Sequence, residues 1–387
     1  MFKNIPNIYI GKDPINNFIV EWDLANSGNG SVAMIGSPGF GKSALAQSCA
    51  IELVKNGATL FCIDQHRTLS ESEIFQPLRE DFEKYRNDIY AEEGIPIKLF
   101  EQLVIGDGKV ERPEITKGAI CDILIKALKV PIDFRFTLLE AVSKVMNKDS
   151  YKSRGFQAIE DALKEIGTKK AIKLLDRLGY IFLHNPLRYP KDDNDVMIKE
   201  GRINIVHLSS LDLTSQALLT EVLASYIWRL GNAGEFVDKN FYFFIDECQN
   251  MHTGSSDPLA LMISEGRKMG INLILATQMI LQGTTNSVQQ RLASCGLMIY
   301  FRPVANRVRL TAKMISDSDP DTWSTVLSDL GIGEFVAKGN LVLNGKLHVS
   351  YPLKVNGYIG EHEGIIKEEI EYTVNGDVPV KDITEWQ

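Results

Sequence analysis

The 387-residue sequence has no apolar run approaching the ~20 residues needed to span a bilayer. Its opening, MFKNIPNIYIGKD, lacks the apolar segment of a secretory signal. A soluble, cytoplasmic protein is expected. Cysteine is scarce: Cys49, Cys62, Cys121, Cys248 and Cys295 are widely scattered, and no C-x-x-C or Cys/His cluster occurs. That excludes a disulfide framework and a zinc site of familiar spacing. There is also no basic excess, since 42 Lys and Arg face 50 Asp and Glu for a net charge of −8. The bulk charge therefore gives no case for nucleic acid or an anionic membrane, although a ring or groove needs only a local basic lining. Internal repeats and low-complexity tracts are absent as well.

What is present is Gly36-Ser37-Pro38-Gly39-Phe40-Gly41-Lys42-Ser43, a full match to G-x-x-x-x-G-K-[ST]. The apolar run Ser31–Ile35 leads in, and a helix-forming run from Ala44 to Lys55 leads out before Gly57 stops it. Glycines let backbone wrap closely round a phosphate, and successive N–H groups at a helix start make a positive concavity for it. Lys42 would reach the β- and γ-phosphates and the Ser43 hydroxyl would ligate Mg²⁺. The pattern predicts an ATP site built from residues 36–44.

Ala58–Asp64 is a continuous apolar run ending in an acid, as in a parallel strand covered on both faces. Residues 1–30 read as a lead-in with short strands at Ile8–Asp13 and Phe18–Trp22. From 67 to 201 the spacing becomes helical, over 68–74, Pro77–Glu92, Thr116–Leu128, Thr137–Met146, Gly155–Ile166 and Lys169–Leu178, with Leu103–Ile105 the clearest strand. This reads as a mostly helical insertion. The α/β rhythm resumes with strands at Ile203–Leu208, Phe241–Asp246, Ile271–Ala276 and Leu297–Phe301, and helices at Ser215–Leu230 and Pro258–Met269. Gly333–Gly339 and Lys346–Pro352 read as closing strands, and 353–387 as a charged tail. The expected division is a core of 31–66 and 202–352, split by 67–201, with a mainly parallel sheet.

Phe241–Ile245 runs into Asp246 and Glu247. An acid at the carboxyl end of a core strand beside a phosphate loop can hold Mg²⁺, and a second acid can take the proton of an attacking water. Asp246 is thus the expected metal ligand and Glu247 the expected base. Asn272–Ala276 ends in Thr277 and Gln278, and Gln278 is placed to sense the γ-phosphate or orient water, since ligands gather at carboxyl ends of parallel strands. Arg267, Arg302 and, more weakly, Arg291 are candidates for an arginine finger; from spacing alone Arg267 reads equally as a helix C-terminal cation.

Together, GSPGFGKS at 36–43, FFIDECQN at 243–250, ISEGRKMGINLILATQ at 263–278 and LGIGEFVAKG at 330–339 resemble the FtsK–HerA superfamily of ring ATPases, HerA-type members most closely. The stretch from Gly266 to Gln278 is the discriminating one, and Cys62–His66 looks like the family's second strand with Gln65 where Pro is usual. The resemblance covers roughly 8–66 and 202–355. It implies a RecA-like core, a hexameric ring with ATP and Mg²⁺ at subunit interfaces, Arg267 as the finger acting on a neighbour, and movement of double-stranded DNA. It also implies DNA processing, conjugative transfer or phage defence, with a nuclease or other effector as partner. The usual N-terminal β-barrel has no room in thirty residues, so assembly and partner docking are open. Residues 249–256 and 281–290 contain no Lys or Arg. That keeps a protein-handling secretion ATPase, or a regulatory ATP-binding module, as alternatives.

Overall fold

The computed structural model describes residues 7–357 apart from 107, 153, 249–250, 252–253, 255–256 and 279–291, and leaves the side chains of 149, 152 and 180–184 undescribed. In chain order the elements are β1 (Ile8–Lys12), β2 (Ile19–Trp22), β3 (Val32–Ile35), α1 (Lys42–Lys55), β4 (Thr59–Asp64), α2 (Arg79–Tyr85), β5 (Arg86–Tyr90) and β6 (Ile95–Pro96). A helical stretch follows: α3 (Pro113–Leu128), α4 (Arg135–Met146), α5 (Asp149–Lys152), α6 (Gln157–Ile166) and α7 (Lys169–His184). Then come β7 (Leu187–Arg188), β8 (Ile203–His207), α8 (Leu213–Asn232), β9 (Phe241–Ile245), α9 (Pro258–Glu265), β10 (Ile271–Thr277) and β11 (Leu297–Tyr300). Short helices Val308–Ile315 and Pro320–Ser328 precede β12 (Glu334–Gly339), β13 (Leu341–Leu343), β14 (Leu347–Val349) and β15 (Leu353–Asn356).

One 13-stranded sheet carries the molecule, in the order β14-β13-β2-β1-β15-β12-β11-β3-β10-β9-β4-β8-β5. From β11 to β5 every pairing is parallel, and from β12 outward every pairing is antiparallel. Apart from the edge strand β5, the parallel strands are buried on both faces, which is why they read as unbroken apolar runs. Alternate residues divide the core. Phe241, Phe243 and Ile245 of β9 face α8 and the helical segment, while Tyr242 and Phe244 face α1. α3 packs on α8, and α4, α6 and α7 continue the layer. The buried pair Arg229–Glu111, at 2.7 Å, ties α8 to the chain leading into α3. Among the described residues no helix is long and apolar enough to cross a membrane.

Some elements differ from the sequence reading. The helical reading of 77–92 is broken by β5, an edge strand whose Arg86 and Asp88 pair with each other and whose only buried side chain is Ile89. With no alternating apolar face, it carries no strand signal. Residues 68–74 form turns, and Leu103–Ile105 contributes only a single bridge, Val104 to Val110, on exposed chain. The helix expected over 258–269 stops at Glu265 and tightens into a 3₁₀ turn, Gly266–Met269. Asp257 occupies the N-cap position of α9, its carboxylate accepting from the Gly254 N–H at 2.7 Å and not from the helix. The stretch read as tail begins with β15, which pairs with β12 and β1, and β13 adds a further unforeseen strand. All five cysteines are buried free thiols.

Candidate active site

β3 ends at Ile35 and the chain loops through 36–41 before α1 begins at Lys42. Gly39 (φ +81°) and Gly41 (φ +103°) hold left-handed backbone that other residues resist. A side chain at Gly36 would place its Cβ 2.5 Å from that of Phe301. Three hydrogen bonds fix the loop from outside. Gly36 N–H donates to the Thr277 carbonyl (3.2 Å), Ser37 N–H to the Arg302 carbonyl (2.8 Å), and Gly333 N–H to the Phe40 carbonyl (3.1 Å). Pro38 and Gly39 stand exposed at the loop tip and Phe40 is half-buried. Lys42 is only 6% exposed, and its Nζ donates to the Ser37 carbonyl at 2.9 Å. Burial pulls the pKa of its ammonium down, against the opposing pull of Glu247 and Asp246. Ser43 and Ala44 occupy the first turn of α1.

β10 lies between β3 and β9, so the carboxyl ends of these strands are neighbours. Burial, and then the adjacent Glu247, push the Asp246 carboxyl above its ordinary range, while the Thr68 hydroxyl and Lys42 act to lower it. The Glu247 N–H donates to Asp246 Oδ1 at 3.0 Å. Glu247 has φ +53°, a left-handed conformation that few non-glycine residues adopt and that tends to persist at functional sites. Gln278 Nε2 donates to Glu247 Oε1 at 2.5 Å. The acid pair from one strand end and the amide from the next thus meet beside the loop.

Thr68 was missed by sequence reasoning, which placed it in a helix. Its N–H donates to Asp64 Oδ1 at 3.0 Å, so the acid ending β4 shapes the turn that presents Thr68 to Asp246. The usable signal was an acid closing a buried strand with a threonine four residues on.

The structure separates the arginines. Arg302 follows β11 at the same end of the sheet as the phosphate loop, exposed, with its guanidinium carbon 5.8 Å from the Phe40 ring centre. Arg267 is exposed on the 3₁₀ turn before β10, at the opposite end. At about 3.3 Å per residue, β10 puts roughly 20 Å between Arg267 and Gln278. Lys42, Asp246, Glu247, Gln278 and Arg302 share one end of the sheet; Arg267 does not join them. Arg291 lies outside the described residues, as do 279–290 and most of 249–256.

The oxygen donors suit Mg²⁺. Ser43 and Asp246 offer a hydroxyl and a half-buried carboxylate whose charge is opposed by desolvation and by Glu247. Mg²⁺ is commonly held by one or two protein oxygens with phosphates and water. Among the described residues there is no group of three His, Cys, Asp or Glu side chains poised for a metal.

No family model matches the sequence, and no curated protein sequence matches it. Solved structures do match. VirB4 of Thermoanaerobacter pseudethanolicus aligns with a TM-score of 0.65 at 15% identity, over 91% of this chain and 96% of that one. The fold is that of the RecA-like P-loop ATPases. The unbound bacterial conjugative coupling protein TrwBdeltaN70 aligns with a TM-score of 0.56 at 13% identity, over 92% of this chain and 89% of that one. TrwB in complex with ADP and Mg²⁺ aligns with a TM-score of 0.50 at 14% identity, over 86% and 85% of the two chains. Coverage of 91% is too large to leave out the helical segment between β5 and β8, so the likeness extends beyond the RecA-like core.

Proposed function

We propose that this chain is a cytoplasmic Mg²⁺-dependent ATPase motor of the HerA/FtsK type, working as a hexameric ring that moves double-stranded DNA. The observation that carries the reading is the meeting of Lys42, Asp246, Glu247 and Gln278 at adjoining strand ends, with Glu247 hydrogen-bonded to Gln278. Within the 36–44 loop the N–H groups of residues 39–44 cradle the phosphates, and Lys42 supplies positive charge to the β- and γ-oxygens. Ser43 and Asp246 would hold Mg²⁺, which neutralises charge on the phosphate oxygens. Glu247 accepts the proton of the attacking water, and Gln278 fixes the carboxylate that does so. Arg267, too far along β10 to reach its own loop, serves the γ-phosphate held by the next copy. TrwB, a conjugative coupling protein whose complex with ADP and Mg²⁺ shares this fold, is consistent with such chemistry.

The test is the ATPase rate with and without long double-stranded DNA, at low and near-physiological salt because phosphate contacts are salt-dependent, with mass in solution measured in parallel. Strong stimulation in a ring-sized fraction is expected. A second reading, a motor acting on protein, is favoured by one observation: residues 249–256 and 281–290, after β9 and β10, contain no Lys or Arg. Brisk hydrolysis indifferent to DNA would select it. A nuclease or other effector subunit is the further partner this reading admits.

A further inference from the structure

The acid pair and Gln278 lie on the β10–β9 side of β3. A nucleotide whose γ-phosphate points there must carry its ribose and base away toward the other side of β3, where β11 and β12 lie. On that side stands Arg302 over the Phe40 ring, its guanidinium carbon 5.8 Å from the ring centre. The Arg302 backbone is fixed: Phe301 N–H donates to the Ile35 carbonyl at 2.8 Å, and the Arg302 carbonyl accepts from Ser37 N–H at 2.8 Å. Phe40 is fixed too, through its carbonyl to Gly333 N–H at 3.1 Å, and Gly333 in turn accepts from Gly357 N–H at 2.8 Å. Among the described residues no carboxylate pairs with the exposed Arg302 guanidinium. An aromatic ring, an exposed guanidinium 5.8 Å from its centre and a side open to solvent make a stacking surface, since bases stack on both groups.

We propose that Arg302 and Phe40 form the platform for the base of the nucleotide bound by their own phosphate loop, so that Arg302 acts within its own subunit and is not a finger for a neighbour. Stacking reads a π-face and not a hydrogen-bond pattern, so the platform accepts either purine. The inference rests on the nucleotide-binding reading above, and the experiment separates the two. Binding of Mg²⁺-ATP and of Mg²⁺-tripolyphosphate, which has the phosphates but no base, is measured by calorimetry for the wild type, Arg302→Ala, Phe40→Leu and Lys42→Ala. Arg302→Ala is expected to weaken ATP about tenfold, the scale of one lost stacking contact, and to leave tripolyphosphate unchanged, while Phe40→Leu is expected to weaken ATP more than tripolyphosphate. Lys42→Ala is expected to weaken both ligands. ATP and GTP should bind the wild type within a few-fold of each other. Unchanged ATP affinity in Arg302→Ala, or equal losses for ATP and tripolyphosphate, would overturn the platform. A wild type that binds neither ligand would overturn the phosphate-loop reading, and the platform with it.

Discussion

In the proposed mechanism Glu247 is the base, since its left-handed backbone and the 2.5 Å bond from Gln278 fix a carboxylate beside the loop. Glu247→Gln keeps the size of the side chain and an oxygen for Gln278, but cannot take a proton. It is expected to bind ATP like the wild type and to hydrolyse it roughly 10²–10⁴-fold more slowly, the usual worth of a general base. Single-turnover rates with bound ATP check this, and unchanged turnover would remove Glu247 from the role. Tyr242, fully buried on β9, offers a test of stability alone. Its hydroxyl has no hydrogen-bond partner among the described residues. An unsatisfied buried hydroxyl is a cost, so Tyr242→Phe should stabilise the fold by about 1 kcal/mol. A loss of stability in denaturant unfolding would mean that the hydroxyl is satisfied after all.

At the scale of elements, the sequence was most informative where chemistry and burial coincide. The loop from Gly36 to Ser43, the runs of β9 and β10, and the acids at 246–247 are legible because a doubly covered strand has to be apolar and the site residues have to be polar at its end. The Gly266–Gly270 stretch is legible as a motif, and the structure supplies its physics. A Cβ at Gly270 would lie 2.1 Å from the Phe236 carbonyl, and φ there is +73°, so the backbone crossing admits only glycine. β5 was illegible because an edge strand can be polar, and its role emerges only from contacts across the sheet. His207, at the end of β8, meets Asp64 of β4 at 3.3 Å and Asp88 of β5 at 2.6 Å, and its ring stacks on Tyr90. Burial works against its charge, but the two carboxylates prevail and push His207 up from 6.5 to about 9. A raised folded pKa stabilises the protein fully below the unfolded value and loses that contribution as pH rises through the folded one. Stability should therefore decline between about pH 6.5 and 9 through this cluster, and His207→Gln should flatten that decline. Parallel pH profiles of wild type and variant check it; identical slopes would show that His207 does not clamp the edge strand.

At the scale of the molecule, the sheet order explains why distant segments form one site. β10 inserted between β3 and β9 brings residues 36–43, 246–247 and 278 together, and the same strand carries Arg267 to the far end. Strand order is a long-range property that no local pattern encodes, so spacing alone could nominate Arg267 and Arg302, and only the family resemblance favoured Arg267. The proposed catalytic site is shared between copies, with Lys42 from one and Arg267 from the next. Lys42→Ala and Arg267→Ala should each be inactive alone, the second by roughly 10³-fold or more if the arginine acts as a finger. The direct measurement is the ATPase rate of the two variants mixed and allowed to exchange subunits. Hydrolysis should recover, because an Arg267→Ala loop facing an Arg267 from a Lys42→Ala copy is a complete site. A mixture as inactive as its parts, or an Arg267→Ala protein as active as the wild type, would contradict it.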